Sequence, residues 1–507
     1  MAFRVNRNYR KILRNRKNRI ERRLRPINWE DQPRPMFKAS NIRYEMAPRV
    51  QAVNCGGIGA MHLMLHRLGF IEDVDRSLHL LKVHLPYHES DHVLNVTYNI
   101  LAGGQRLEDI EQRRQDEAFL NGLAAERIPD PTTAGDFTRR FDEPDIISLQ
   151  ECANRARLVA WKVQPEGFLQ EAFIDVDGTI AGTYGECKEG MGLSYKGIWG
   201  YAPLIVSLAN TKEVLYLINR PGNAASHTGS AEWIDRAVEL VMQVAGTVTI
   251  RGDTDFTHTE HLDRWDGKGQ KFILGFDANP KLVTLAQAVP SSAWKPLERV
   301  PKYEIRTEPR PKAFRYKEQI VIEREFENKK LMGEDVTEIE YQPGKCRKAY
   351  RIVIVRKNIS VQKGEKVLFD EIRYLFYITN RSDKVEKIVG LANGRCDQEN
   401  VIEQLKNGVN AMRMPVHDLL SNWAYMVMAA LAWNIKAWYG LLVPNRERGL
   451  ELMKMEFRRF LHSIILIPCQ VVKTARRIIY RVLGYNNWLE DFFATLERIT
   501  LFSSIQV

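Results

Sequence analysis

The spacing of hydrophobic and polar residues first changes along the chain at residue 171. Before that point apolar residues recur every three or four positions, as in residues 56–70 and 90–104, which predicts helices. After it the runs are short and rich in β-branched residues, which predicts strands. The predicted strands are residues 171–179, 247–253, 271–276 and two within 202–220, with an amphipathic helix at 230–246. A hairpin followed by alternating helices and strands predicts a mixed α/β (α+β) sheet, not a purely parallel one.

A charged, β-rich stretch at residues 296–372 interrupts this pattern and is predicted to be an inserted β subdomain. The strand that ends it, residues 375–380, is predicted to return to the main sheet. After residue 409 the apolar spacing predicts helices to the end of the chain. The predicted regions are a basic arm (1–45), a helical domain (46–165), a mixed-sheet domain in two parts (166–295 and 373–440) split by the insertion (296–372), and a helical C-terminal region (441–507).

Positive charge is concentrated at the start of the chain. Residues 1–26 hold eleven Lys or Arg and the single acid Glu21, which accounts for +10 of the net charge of +11. Such an arm can neutralise phosphates along a nucleic acid. A mitochondrial targeting segment is the alternative, but those segments are usually rich in Ser and amphipathic, and this one contains no Ser.

Several classes of protein are disfavoured by the composition. The most apolar run, residues 425–443, contains Asn434 and Lys436, which favours a buried core helix over a membrane span. The six cysteines form no C-x-x-C pair, which argues against a zinc site or a disulfide framework. With no apolar segment after the basic start, a cytoplasmic location is expected.

Residues 393–408 pose the first chemical question. Arg395, Glu399 and Lys406 would lie on one stripe of a regular helix at about 100° per residue, so a carboxylate would stand between two cations. A solvated, salt-bridged helix face is one interpretation. The other is a metal-binding acid flanked by cations that bind phosphate.

Two further acids stand at predicted strand ends. Asp177 closes the strand 171–177, and Asp253 closes the strand 247–253. Phosphodiester chemistry with two divalent metals needs carboxylates that converge from separate elements. Asp177, Asp253 and Glu399 form such a set, whereas the neighbouring Asp175 and Asp255 rank second because they would have a different local setting.

The motifs around these acids resemble those of DDE transposases of bacterial insertion sequences, the cut-and-paste group with a Tyr-Arg-Glu-Lys signature. The chain carries D-G-T at 177–179, R-G-D at 251–253, and the Arg, Glu and Lys of the signature at Arg395, Glu399 and Lys406. Ala392 occupies the signature's Tyr position, a departure that leaves the three acids intact. The resemblance covers roughly residues 100–440.

The resemblance implies that the mixed-sheet domain (166–295 and 373–440) is a ribonuclease-H-like catalytic domain that cleaves DNA and transfers strands, and that the helical domain (46–165) binds DNA ends. It implies two Mg²⁺ ions, with Mn²⁺ as a substitute, held by Asp177, Asp253 and Glu399, and DNA phosphates bound by Arg395 and Lys406. The partners it implies are double-stranded DNA, both terminal inverted repeats and target, and a second copy of the chain in the DNA complex, with no membrane. The expected setting is the bacterial cytoplasm and nucleoid. Trp294, just before the insertion, is a candidate for stacking on an unpaired base.

Two alternatives stay open at this point. The stretch D-V-D-G-T resembles the nucleophile motif of haloacid-dehalogenase-like phosphatases, with Asp175 phosphorylated and Asp177 as acid/base. A transposase-derived protein that binds DNA without cleaving it is the second. Metal-dependent strand cleavage distinguishes both from an active transposase.

Overall fold

The computed structural model describes residues 7–24, 43, 51–84, 86–183, 185, 188–299, 327–363, 366–475 and 477–501. The helices are α1 (Arg7–Leu24), α2 (Ile58–Arg67), α3 (Phe70–Ser77), α4 (Glu89–Leu101), α5 (Ile110–Arg114), α6 (Glu117–Gly122), α7 (Pro131–Thr138), α8 (Glu143–Lys162), α9 (Ser230–Val241), α10 (Thr259–Gly267), α11 (Pro280–Ala288), α12 (Val385–Asn393), α13 (Cys396–Glu403), α14 (Leu419–Leu442), α15 (Arg446–Lys454), α16 (Phe457–Phe460) and α17 (Leu489–Leu501). The strands are β1 (Ala52–Val53), β2 (Glu171–Gly178), β3 (Ala181–Gly182), β4 (Gly192–Leu193), β5 (Trp199–Tyr201), β6 (Leu204–Leu208), β7 (Glu213–Ile218), β8 (Thr247–Gly252), β9 (Lys271–Phe276), β10 (Lys295–Pro296), β11 (Glu327–Tyr341), β12 (Tyr350–Lys363), β13 (Lys366–Thr379), β14 (Cys469–Lys473) and β15 (Ile478–Val482).

The main sheet is mixed, as predicted. One part of it has the order β7-β6-β2-β8-β9, in which β2, β8 and β9 are parallel and β6 runs antiparallel to both of its neighbours. This is the strand arrangement of ribonuclease-H-like folds. Because β2, β8 and β9 run in the same direction, their carboxyl ends meet at one edge of the sheet.

The strands of the predicted insertion extend this same sheet. Strand β13 pairs antiparallel with β9 through Phe376–Thr379, as expected for the strand that returns. Strands β12, β11 and β10 follow in order, so one sheet of nine strands runs through both parts. The sequence pattern did not predict β11, because its charged residues and Gly333 obscure the alternation of a strand. Residues 300–326 of the insertion lie outside the described residues.

Helix α14 is the centre of the core. It is apolar around its whole circumference and packs against α4, α8, α15 and strand β7. Its polar residues have partners: the Asn434 amide bonds the backbone N–H and C=O of Val214, both at 2.9 Å. The Lys436 ammonium donates to the carbonyls of Met453 and Met455 at 2.9 and 2.6 Å. Among the described residues, no helix is long and apolar enough to cross a membrane.

The C-terminal region differs from its prediction. Residues 469–482 form a hairpin, β14 and β15, and not a helix. Pro468 precedes the first strand, and the β-branched pairs Val471–Val472 and Ile478–Ile479 favour extended backbone. Strand β1 completes a small sheet with β14 by pairing Ala52 with Gln470 and Val53 with Cys469. This sheet joins the N-terminal helical region to the end of the chain.

A fully buried carboxylate ties three layers together. Glu213 on β7 accepts from Arg157 Nε at 2.8 Å, from Trp438 Nε1 at 2.8 Å, from Trp161 Nε1 at 2.9 Å, and from the Thr211 hydroxyl. The guanidinium of Arg157 and the carboxylate of Glu213 are both inaccessible to solvent. Sheet, helix α8 and helix α14 therefore meet at one charge pair.

Glu213→Gln is expected to destabilise the fold by about 3–5 kcal/mol, because it leaves the Arg157 charge buried without its counterion. Thermal and urea unfolding measure the effect. Glu232→Gln removes an exposed carboxylate that pairs with Arg236, and it should cost at most about 1 kcal/mol. Equal losses in the two variants would contradict the role assigned to the buried pair.

Candidate active site

The two aspartates lie at the shared edge of the sheet. Asp177 is at the carboxyl end of β2, and Asp253 directly follows β8, the parallel neighbour of β2. The Asp253 carboxylate accepts a hydrogen bond from the backbone N–H of Asp255 at 3.0 Å, which caps a short 3₁₀ turn. Strand topology therefore brings together two acids that are far apart in the sequence.

Beneath this edge, Arg251 connects both strands to the helices that follow the insertion. Asp175 and Arg251 are register partners on β2 and β8, and the guanidinium donates to both carboxylate oxygens at 2.6 and 2.8 Å. Its third group, Nη1, donates to the carbonyl of Leu391 on α12 at 2.8 Å. Gly394 has no room for a side chain, since a Cβ there would lie 2.6 Å from Arg251 Nη1. The chain just before Arg395 is thus held against β8.

Helix α13 is held against the sheet by a second contact. The buried amide of Gln398 donates to the carbonyls of Asp175 at 3.1 Å and Ile205 at 3.0 Å. These bonds orient the start of α13 over the ends of β2 and β6. Arg395, which directly precedes α13, is thereby placed near the strand ends.

Arg395 is the cation of this edge. Its Nη1 donates to Asp177 Oδ2 at 2.9 Å, and both side chains are largely buried. Burial raises the pKa of Asp177 to about 6; Arg395 opposes this rise and the charge of Asp253 adds to it. Burial also raises the pKa of Asp253, again against Arg395 and with repulsion from Asp255 and Asp277. The two carboxylates therefore lie close enough to repel each other, and Arg395 partly neutralises them.

The signature helix is less regular than the sequence predicts. Helix α13 ends at Glu403 and continues as one π-helical turn, residues 404–408, which changes the angular position of Lys406. Burial lowers the pKa of Lys406, and the charges of Glu403 and Asp177 raise it against the repulsion of Lys196. The side chain of Glu399 is exposed. Within the described residues, Asp177, Asp253 and Glu399 do not form a group of metal-ligand atoms within 4.8 Å of one another.

The structure adds information on two other residues, Trp294 and Asp277. Trp294 is 9% exposed, and the Arg356 guanidinium covers its ring at 4.3 Å from the centroid. Its ring packs in the sheet and presents no open face to a base in this conformation. Asp277, which the sequence reasoning missed, follows β9 and contributes to the pKa of Asp253. Its position after a predicted strand was the signal that could have found it.

Comparison with known proteins identifies the family. A family profile described as transposase DDE domain, group 1, matches residues 51–503. The chain belongs to this family. No curated protein matches it. Among solved structures, the transposase is similar to piggyBac transposase in a cryo-EM synaptic complex with hairpin DNA, with 11% sequence identity and a TM-score of 0.34 over 80% of this chain and 81% of that one.

The phosphatase interpretation conflicts with the site of this transposase. Asp175, the nucleophile it requires, is 1% exposed and is held by both oxygens on Arg251. Strand β6, the next strand of the main sheet along the chain, pairs with β2 antiparallel, whereas the phosphatase interpretation expects a parallel crossover. Asp175 is therefore a structural acid, and Asp177 is the acid that faces the open edge.

The two aspartates on β2 should respond oppositely to amidation. Asp175→Asn leaves Arg251 buried without its anion and should destabilise the fold by about 3–5 kcal/mol. Asp177→Asn should leave the melting temperature unchanged or higher at pH 7 in chelator-containing buffer. The folded pKa of Asp177 lies above its ordinary value of 3.8, so the stability it contributes is present below pH 3.8 and lost by about pH 6. Any gain in Asp177→Asn should therefore vanish near pH 4; equal destabilisation by both variants at pH 7 would contradict the assignment.

Proposed function

We propose that this transposase binds the terminal inverted repeats of an insertion sequence, cleaves the DNA at their ends and joins the released 3′ ends to target DNA. The observation that carries the proposal is the convergence of Asp177 and Asp253 on the cation Arg395 at one sheet edge, in a chain of the DDE family. Water attacks a phosphodiester to release a 3′-hydroxyl, and that hydroxyl then attacks a target phosphodiester in line.

Divalent cations fit the donor set of this edge. Asp177 and Asp253 are hard carboxylate ligands of the kind that Mg²⁺ and Mn²⁺ prefer, and their mutual repulsion favours a positive charge between them. Glu399, one helical turn from Arg395, would supply the third carboxylate after a change of side-chain conformation. When bound, a pair of Mg²⁺ ions stabilises the attacking and leaving oxygens.

Arg395 and Lys406 would hold the DNA. In the free protein Arg395 is bonded to Asp177, so a metal ion at the carboxylates would free its guanidinium for a phosphate. Lys406 is half-buried beside the same edge and would provide a second point charge. In this proposal Glu399 binds the metal, and the flanking cations Arg395 and Lys406 bind the nucleic acid.

The N-terminal part of the chain would bind the DNA ends. Helix α1 leaves most of its cations exposed while Arg16 donates to the carbonyls of Val482 and Gly484 at 3.0 and 2.8 Å. Tyr9 packs on Phe493 with ring centroids 5.1 Å apart. An arm anchored on one side and charged on the other is suited to phosphate contacts. A homodimer on paired ends, in the bacterial cytoplasm and nucleoid, completes the proposal.

Mg²⁺-dependent cleavage of DNA that carries the ends of the encoding element tests the proposal. The wild type should cleave, and Glu399→Gln should bind the same DNA but lose cleavage by about 10³-fold or more, because a neutral amide is a poor metal ligand. Glu403→Gln is the matched control: it removes a carboxylate from the same helix, one that accepts from Asn407 at 2.6 Å.

The outcomes separate the alternatives. Equal cleavage by the wild type and Glu399→Gln would make Glu399 a surface acid and overturn the three-carboxylate assignment. Specific binding of the ends without cleavage by the wild type would identify a DNA-binding protein that has lost catalysis.

Lys406→Gln should weaken DNA binding at all sequences alike and reduce the slope of log K against log salt by about 0.9, the value for one lost phosphate contact. Fluorescence anisotropy between 50 and about 200 mM salt measures the slope. Lys268→Gln is the control, since Lys268 follows α10 at the opposite end of the parallel strands. An unchanged slope for Lys406→Gln would remove Lys406 from the DNA-binding residues.

A further inference from the structure

Four exposed apolar side chains lie on one short hairpin between β3 and β6. This aromatic hairpin, residues 192–201, consists of β4, β5 and the turn between them. Tyr195 is 85% exposed and Trp199 54%, and Leu193 and Ile198 are exposed beside them. Exposed apolar groups at this density usually mark a binding surface.

The base and turn of the aromatic hairpin are well ordered by hydrogen bonds. Ser194 bonds Ile198 twice, through the backbone at 2.9 Å and through its hydroxyl at 3.1 Å. The buried ring of Tyr201 donates its hydroxyl to the carbonyl of Glu189 at 2.8 Å. Gly200 adopts φ +158° and lies against the backbone of Ala181, where a Cβ would be 2.1 Å from a carbonyl oxygen. The aromatic rings therefore project from a rigid support.

The aromatic hairpin is connected on both sides to the strand end that carries Asp177. Its supporting strand β3 begins three residues after Gly178, and β5 leads directly into β6, where Leu204 is the register partner of Gly178. The Thr179 N–H donates to the carbonyl of Pro203 at 2.9 Å. The base of the hairpin therefore lies beside the strand end that carries Asp177.

The charge around the aromatic hairpin suits a polyanion. The Lys196 ammonium lies 5.4 Å from the centre of the Tyr195 ring. Lys196 is exposed in the turn, and its charge adds to the effect of burial in lowering the pKa of Lys406. Aromatic faces combined with cations match nucleic acid, whose unpaired bases stack on rings while its phosphates bind lysine.

From these observations we infer that the aromatic hairpin binds DNA bases next to the scissile phosphate, with Trp199 and Tyr195 stacking on a base that has left the duplex. Lys196 binds the adjoining phosphate. The inference rests on the proposed function and adds a positioning element to it: unstacking a terminal base bends the strand toward Asp177. The free-energy cost of unstacking the base from the duplex is offset by its stacking on the two rings.

The test uses element-end duplexes with 2-aminopurine at positions next to the cleavage site, with full-length protein. Wild-type binding should change the fluorescence of one position, because its base leaves the duplex stack and moves onto a ring. Trp199→Ala and Tyr195→Ala should abolish this change and slow cleavage of a fully paired end by about 10-fold. Cleavage should return to the wild-type rate when mismatches already unpair that base, and Trp199→Phe should retain activity.

The control is Met242→Ala, which removes an exposed apolar side chain at the C-terminal end of α9, away from the strand ends. It should behave as the wild type. Unfolding temperatures of all variants should agree, because Tyr195 and Trp199 are exposed. Wild-type fluorescence and cleavage in both alanine variants would overturn the inference while leaving the proposed function intact.

Two further outcomes are decisive. If the wild type cleaves no DNA, the proposed function fails, and binding of a forked duplex still tests the hairpin: equal affinity of the wild type and Trp199→Ala would overturn the inference, and a roughly 10-fold loss would support it. If Trp199→Ala instead converts a dimer of the free chain into a monomer with no change in the DNA signals, the hairpin is an interface between copies and the inference is wrong.

Discussion

The bidentate pair between Asp175 and Arg251 is the contact on which the geometry of the site depends. It joins two parallel strands at register partners, and the same guanidinium reaches Leu391 on the helix before the signature. A buried ion pair adds little to the net free energy of unfolding, but removing one of its partners is strongly destabilising. Other packings of the same strands would separate the two charges and are therefore disfavoured. Its effect here is specificity: β2, β8 and α12 can meet in one arrangement.

That arrangement concentrates negative charge where the strands end. Burial raises the pKa of both Asp177 and Asp253 against the influence of Arg395. Neighbouring carboxylates add to the rise, Asp253 for Asp177, and Asp255 and Asp277 for Asp253. The fold therefore holds two carboxylates in a state that a divalent cation would relieve. In the free protein Arg395 supplies the compensating charge, and this explains why a cation belongs beside the acids even before metal or DNA arrives.

The remaining parts of the chain support this edge from a distance. Glu213 connects β7 to α8 and α14, so the helical layer is fixed to the same sheet that carries the acids. In the small sheet of β1, β14 and β15, a strand from the N-terminal region pairs with the C-terminal hairpin. Helix α1 exposes its cations to solvent, and the aromatic hairpin exposes its rings.

The sequence by itself determined the strand and helix order of the main sheet and the strand-end positions of Asp177 and Asp253, because periodicity and chain reversals are local signals. It also carried the motifs of the DDE family. Only the tertiary structure decided that the insertion strands extend the same sheet, that residues 469–482 form a hairpin, that Arg356 covers Trp294, and that a π turn shifts Lys406 while Glu399 is exposed. These depend on contacts between residues distant in the chain, whose burial and partners no local pattern specifies.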